Sequence, residues 1–326
     1  MRLMIIRMIL AILVSFGTIN IASADELPIV RLGLLQFGTV NWEVAVMRDG
    51  LDRAHGIKID AVPLADKDAA AIALLSGQVD VIVTDWLWVA RQRVAGKDFA
   101  FVPFSTAAGG VVVSPTSTLR QIADLAGQRI GVGGGPDDKS WLLLRAYAQK
   151  TAKLDLAKQA DIQFSAPPLL NELMQRGKLD ALLNFWQFNA QLQAKGYREI
   201  ISVHDMISAL GIGRPPPLLG WVFHDSWATA HPQAAKALFE TSFDAKRELM
   251  QQDAIWQTLR PMMKAPDDKL FDALRSSYRA GIPGGYSQAD IDAARDTLKV
   301  MARVDPTATA GLTDLPDGTF WAGFRR

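Results

Sequence analysis

The side chains that could do chemistry on this chain are few. No cysteine occurs among its 326 residues, which excludes thiolate nucleophiles, thiolate metal sites and disulfides. The histidines His55, His204, His224 and His231 form no His-x-x-x-His or His-Glu-x-x-His pattern, and no Gly-x-Ser-x-Gly turn accompanies His224-Asp225. Binding is therefore expected rather than catalysis, with no metal and no cofactor. The stronger signal is tryptophan beside small polar groups. Gln36, Phe37, Thr39 and Asn41 precede Trp42, Thr84 and Asp85 precede Trp86, Lys139 and Ser140 precede Trp141, and Asn184 comes just before Trp186. Indole rings beside hydroxyls and amides suit the wall of a small-molecule cleft.

These thirteen residues are the candidate ligand set. For each tryptophan the competing role is core packing of helix on sheet. Asp85 has two roles open to it: a carboxylate offered to a ligand, or the cap of the helix that starts at Trp86. No arginine lies in these segments and Lys139 is the one lysine, so an anion lacks the bidentate partner it would normally meet. Ring faces attract cations by roughly 0.5–2 kcal/mol each. The expected ligand is thus a neutral or cationic organic solute. The glycine-rich stretch 131–140 matches neither a dinucleotide fingerprint, because Pro136 stands at the last glycine position, nor a phosphate loop, because Lys139 lacks the preceding glycine. It is expected to be a turn bordering the cleft, with Asp137 or Asp138 capping the helix that carries Trp141.

Elements must carry these residues to one place. Apolar runs at 29–35, 57–62 and 79–84 predict buried strands, separated by helices over 41–55 and from Asp66 to Ser76, and followed by one over 86–94. The alternation predicts a mostly parallel sheet with helices on both faces. Ligands on such sheets sit beyond the carboxyl ends of the strands, which is where the candidate residues fall.

The unit then recurs. Gly77-x-x-Asp80, an apolar strand and Trp86 have counterparts in Gly177-x-x-Asp180, a strand and Trp186, while Arg31-x-Gly33 resembles Arg129-x-Gly131. Segment 160–166 stands for the second strand of the second unit. An ordered series of matches implies two similar lobes. Gly109-Gly110 and Pro215-Pro216-Pro217 mark the outward and return crossings. The expected division is lobe 1 from 25–108 plus 221–326, and lobe 2 from 109–220, with hinge closure on ligand. The end of the chain is expected to be helical near 232–251, 255–264, 267–280 and 288–302, the last begun by a Ser287/Asp290 capping box.

The N-terminus reads as a signal peptide, 1–24. Arg2 and Arg7 precede an apolar run over 8–16, and Ala22-Ser23-Ala24 offers small residues for cleavage. That run is shorter than the roughly 20 residues a bilayer core requires. Lysine plus arginine number 35 against 34 aspartates and glutamates, so no net field recruits nucleic acid. The expected product is a soluble periplasmic monomer.

Together with the segment 119–134, whose short helix, Asp124-Leu125-x-Gly127 and strand fit the family's habit, the repeat resembles the periplasmic solute-binding proteins of the nitrate/sulfonate/taurine (NitT/TauT) class of ABC importers. The resemblance implies a two-lobed α/β periplasmic-binding-protein fold of type II, with a small-molecule ligand and a membrane permease and ATPase complex as partners. A periplasmic accessory or sensor-partner role on the same fold is the alternative.

Overall fold

The computed structural model describes residues 26–325; the expected signal peptide lies outside them. Ten strands form among the described residues, most of them on apolar runs, with the more polar Asp161–Ser165 and Arg198–Ser202 at sheet edges. They are β1 (Ile29–Leu35), β2 (Lys58–Leu64), β3 (Val81–Thr84), β4 (Phe99–Ser105), β5 (Gly110–Val113), β6 (Arg129–Gly133), β7 (Asp161–Ser165), β8 (Ala181–Asn184), β9 (Arg198–Ser202) and β10 (Leu219–His224). They make two five-stranded sheets, ordered β2-β1-β3-β10-β4 and β7-β6-β8-β5-β9. The expected two-lobed, mostly parallel architecture is present. In each sheet one strand runs the other way: β10 is antiparallel to β3 and β4, and β5 is antiparallel to β8 and β9. The reason is the crossing. Four residues separate β4 from β5, too few for the helical crossover that a parallel entry requires.

The repeat has a physical meaning at the other end of the strands. Asp80 accepts hydrogen bonds from the Arg31 backbone N–H, Nε and Nη2. Asp180 accepts the same three from Arg129. Each aspartate therefore staples the start of the third strand to the first strand of its sheet. Gly77 and Gly177 turn the chain just before, at φ 72° and 67°, where a β-carbon would be strained.

The helix expected over 41–55 is broken. Val40–Val46 is regular, Met47–Leu51 forms a wider turn with Gly50 at φ 108°, and Asp52–Ala54 resumes. Its first part is anchored by Glu43, fully buried, which accepts from Lys246 Nζ, from Ser242 Oγ at 2.6 Å and from the Tyr278 hydroxyl at 2.8 Å. Burial pushes the Tyr278 hydroxyl far up and the Lys246 ammonium down, though the neighbouring Glu43 carboxylate favours charge on the lysine.

The C-terminal helices are Pro232–Gln251, Asp253–Met263, Asp268–Ala280 and Gln288–Val304, and the Ser287/Asp290 capping box forms. Two of them reach across. Asp268–Ala280 packs on the helix Trp186–Ala194, and Gln288–Val304 packs on Lys139–Ala152, both beside the second sheet. The tail then returns to the first sheet: the Phe101 N–H meets the Thr319 carbonyl and the Trp321 N–H meets the Phe101 carbonyl, each at 2.9 Å. This covers the exposed edge of β4. No helix among the described residues is long and apolar enough to cross a membrane.

Candidate functional site

A cavity of about 130 Å³ opens where the carboxyl ends of the two sheets meet. Its lining comes from the loop after β1, the ends of β3 and β8, the turn before Lys139, and both crossings between the lobes, including Gly109 and Leu218. Gly109 has no room for a side chain, since a β-carbon there would lie 1.8 Å from the Asn184 carbonyl oxygen.

Eight of the thirteen candidates line this cavity: Phe37, Thr39, Thr84, Asp85, Lys139, Ser140, Asn184 and Trp186. The other five are elsewhere. Gln36 is exposed, and its backbone extends β1 by bonding to Leu64. Asn41 braces the loop by donating to the Leu35 and Gly38 carbonyls. Trp86 lies wholly in the core, and Trp141 is buried against Phe164. Trp42 stands behind the wall, its ring 5.9 Å edge-on from Trp186 and 5.9 Å from Tyr278. For these three tryptophans packing won, because the strand-end helices bury their first turn against the sheet.

Asp85 is the cap. Its Oδ1 accepts the Trp88 N–H at 2.8 Å, and its Oδ2 lies 3.4 Å from Lys67 Nζ and 3.9 Å from Lys139 Nζ. Burial opposes its charge, but Lys67, Lys139, the Trp88 N–H and Arg91 outweigh that and hold the carboxyl well below the usual carboxylate range. Asp85 in turn raises the Lys67 ammonium, against the effect of burial. Asp138 likewise caps its helix through the Ser140 N–H, and Arg91 pairs with Asp137 at 2.6 Å. Three cations thus face three carboxylates within the cluster.

What remains unspent is on the donor side. Among the described residues the two lysine ammoniums make only their ion pairs with Asp85 and no hydrogen bond, and the hydroxyls of Thr39, Thr84 and Ser140 and the amide of Gln187 have no partner. Asn184 is already committed, donating to the Pro167 carbonyl and Asn171 and accepting from the Phe185 N–H. Asp85 faces protein cations, and the free groups invite an acceptor. Lys67 was missed because it follows β2, whose end the strand-end rule covers equally well. The apolar part of the lining, from Phe37, Trp186 and Leu218, accommodates a hydrocarbon body.

Comparison with known proteins places the chain. The pattern of the family described as NMT1/THI5 like matches residues 48–212, just over half its length. The chain belongs to the NMT1/THI5-like family. Solved structures agree on the fold of this family member. The alkanesulfonate-binding protein SsuA from Xanthomonas axonopodis pv. citri, bound to MOPS, is 18% identical, covers 91% of this chain and 99% of its own, and superposes with a TM-score of 0.72. The periplasmic aliphatic sulphonate binding protein SsuA from Escherichia coli is 16% identical over 90% of this chain and 97% of its own, with a TM-score of 0.70. The periplasmic nitrate-binding protein NrtA from Synechocystis is 13% identical over 91% and 93%, with a TM-score of 0.61. These neighbours match the NitT/TauT class named from the sequence. A comparison with curated proteins returns no match.

Proposed function

We propose that this NMT1/THI5-like protein is the solute-binding component of an importer, exported to the periplasm after loss of residues 1–24 and acting as a monomer. It captures a small solute between its lobes and presents it to a membrane permease. The observation that supports this reading is the interlobe cavity with donors from both lobes, the free Thr84 hydroxyl and the ion-paired Lys67 on one side and the free Ser140 hydroxyl and Gln187 amide with the ion-paired Lys139 on the other. A ligand that meets both sets favours the closed form, because its contacts exist only when the lobes are together. The unspent donors suit an oxyanion, carboxylate or sulfonate, joined to a short apolar body. The sulfonate- and nitrate-binding names of three proteins with this fold are consistent with that class.

Isothermal calorimetry with propanesulfonate, butanoate and nitrate, and with butanamide as the neutral control, tests the proposal. Acids are expected to bind and the amide is not. Lys139→Met is expected to weaken the acids by about tenfold, the scale of one buried charge-assisted hydrogen bond. Binding restricted to amines or neutral solutes overturns the reading.

A further inference from the structure

The internal repeat sets Asp85-Trp86 opposite Phe185-Trp186, and the two helices that start there, Trp86–Val94 and Trp186–Ala194, both end at the cavity. They differ in one respect. The first terminus has its own anion, the Asp85 carboxylate on the Trp88 N–H. The second has Phe185 at the cap position and no side-chain cap. The Phe188 and Asn189 N–H groups both reach the Phe185 carbonyl, which leaves those of Trp186 and Gln187 without a partner among the described residues. Beside them the Gln187 side chain is 7% exposed, lines the cavity and has no partner. Lys139, also 7% exposed, lines the same cavity with only its 3.9 Å ion pair to Asp85 and no hydrogen bond.

We infer that the solute's oxyanion is the missing cap of the helix Trp186–Ala194. It accepts from the Trp186 and Gln187 N–H groups and the Gln187 amide, and Phe185 is the specificity-determining residue because it keeps that terminus open. The inference deepens the proposed function and rests on it. A helix terminus carries about half a positive charge, and a buried one binds an anion where an exposed one is screened. A protein carboxylate in that place would repel the ligand and occupy its donors, as Asp85 does at the twin terminus. The lobes therefore divide the work: one helix terminus is satisfied permanently by the chain, and the other is satisfied when solute arrives.

The test installs the twin's cap. Propanesulfonate and butanoate are titrated into the full-length mature protein and into Phe185→Asp, Phe185→Asn and Gln187→Leu, with folding checked by circular dichroism. Phe185→Asp is expected to weaken both acids by about tenfold or more, the scale of one charge at a partly buried helix terminus. Phe185→Asn, which caps without charge, is expected to weaken them less, and Gln187→Leu by several-fold. Parent-like affinity in Phe185→Asp overturns the subsite while leaving the proposed function standing on the loss seen in Lys139→Met. Equal losses in the Asp and Asn variants overturn it too, since the ring and not the charge would then matter. If Phe185→Asp does not fold, Gln187→Leu decides, and unchanged affinity there overturns the inference. A parent protein that binds neither acid overturns the reading beneath it.

Discussion

Asp85 shows how one side chain can carry two readings in the sequence, of which the structure shows the cap. Its position after a strand and before a tryptophan is compatible with contacting a ligand or capping a helix, and the two roles need the same residue. The structure gives it the Trp88 N–H at 2.8 Å and two lysines. Removing its charge by Asp85→Asn takes from Lys67 and Lys139 the carboxylate they both pair with, leaving Asp137 and Asp138 in the cluster. The expected cost is about 3 kcal/mol, typical of breaking a buried pair from one side. The pH dependence follows from the lowered carboxyl. Asp85 contributes stability fully above the ordinary carboxylate range near pH 4, and that contribution is lost as pH falls toward the lower folded value. Urea unfolding at pH 7 and pH 3 is expected to show a steeper acid loss in the parent than in Asp85→Asn. Equal losses would place the acid sensitivity elsewhere.

At the scale of elements the repeat marks the two lobes, and its Gly-x-x-Asp pair lies at the opposite end of the strands from the cavity. There Asp80 and Asp180 each staple two strands through an arginine of the first strand. The staples differ in burial. The Asp80 side chain is 10% exposed and its arginine 42%, against 30% and 46% for Asp180 and Arg129. Asp80→Ala is therefore expected to cost about 2 kcal/mol and Asp180→Ala about 1 kcal/mol, since screening weakens the more exposed pair. Chemical denaturation of both variants checks the order. A larger loss in Asp180→Ala would show that burial does not set the difference.

For the whole molecule the decisive feature is how the lobes are tied. Arg91, on Trp86–Val94, donates to Asp137 of the other lobe at 2.6 Å and to the Ala308 carbonyl of the C-terminal tail at 3.1 Å. Arg145 on Lys139–Ala152 pairs with Asp305 at 2.6 Å. The end of the chain thus spans both sheets. Hinge closure is expected to use Arg91 and Asp137 as a contact of the closed form. Arg91→Gln is expected to raise the solute dissociation rate about fivefold, near 1 kcal/mol for a partly exposed pair, with little change in association. Stopped-flow tryptophan fluorescence measures it, with Trp186 as the reporter in the cavity wall. Small-angle scattering should show the unliganded variant more expanded than the parent. An unchanged dissociation rate would remove the pair from the closing mechanism.

Strand and helix alternation and the doubled unit were legible in the sequence, because each rests on local periodicity or on a turn residue at a fixed offset. So was the Ser287 capping box, and eight of the thirteen candidates named after strand ends line the cavity. Edge strands β4 and β9 were not legible, although they hold equivalent places at the ends of the two sheet orders. Which tryptophans face the cavity depends on how each helix rolls against its sheet, so Trp42, Trp86 and Trp141 went to the core and Trp186 to the wall. The polarity of the site was also beyond local reading. Lys67 and Lys139 are 72 positions apart in the chain and meet at Asp85 through the folding of two lobes, and an electrostatic field is set by distance in space rather than by separation in sequence.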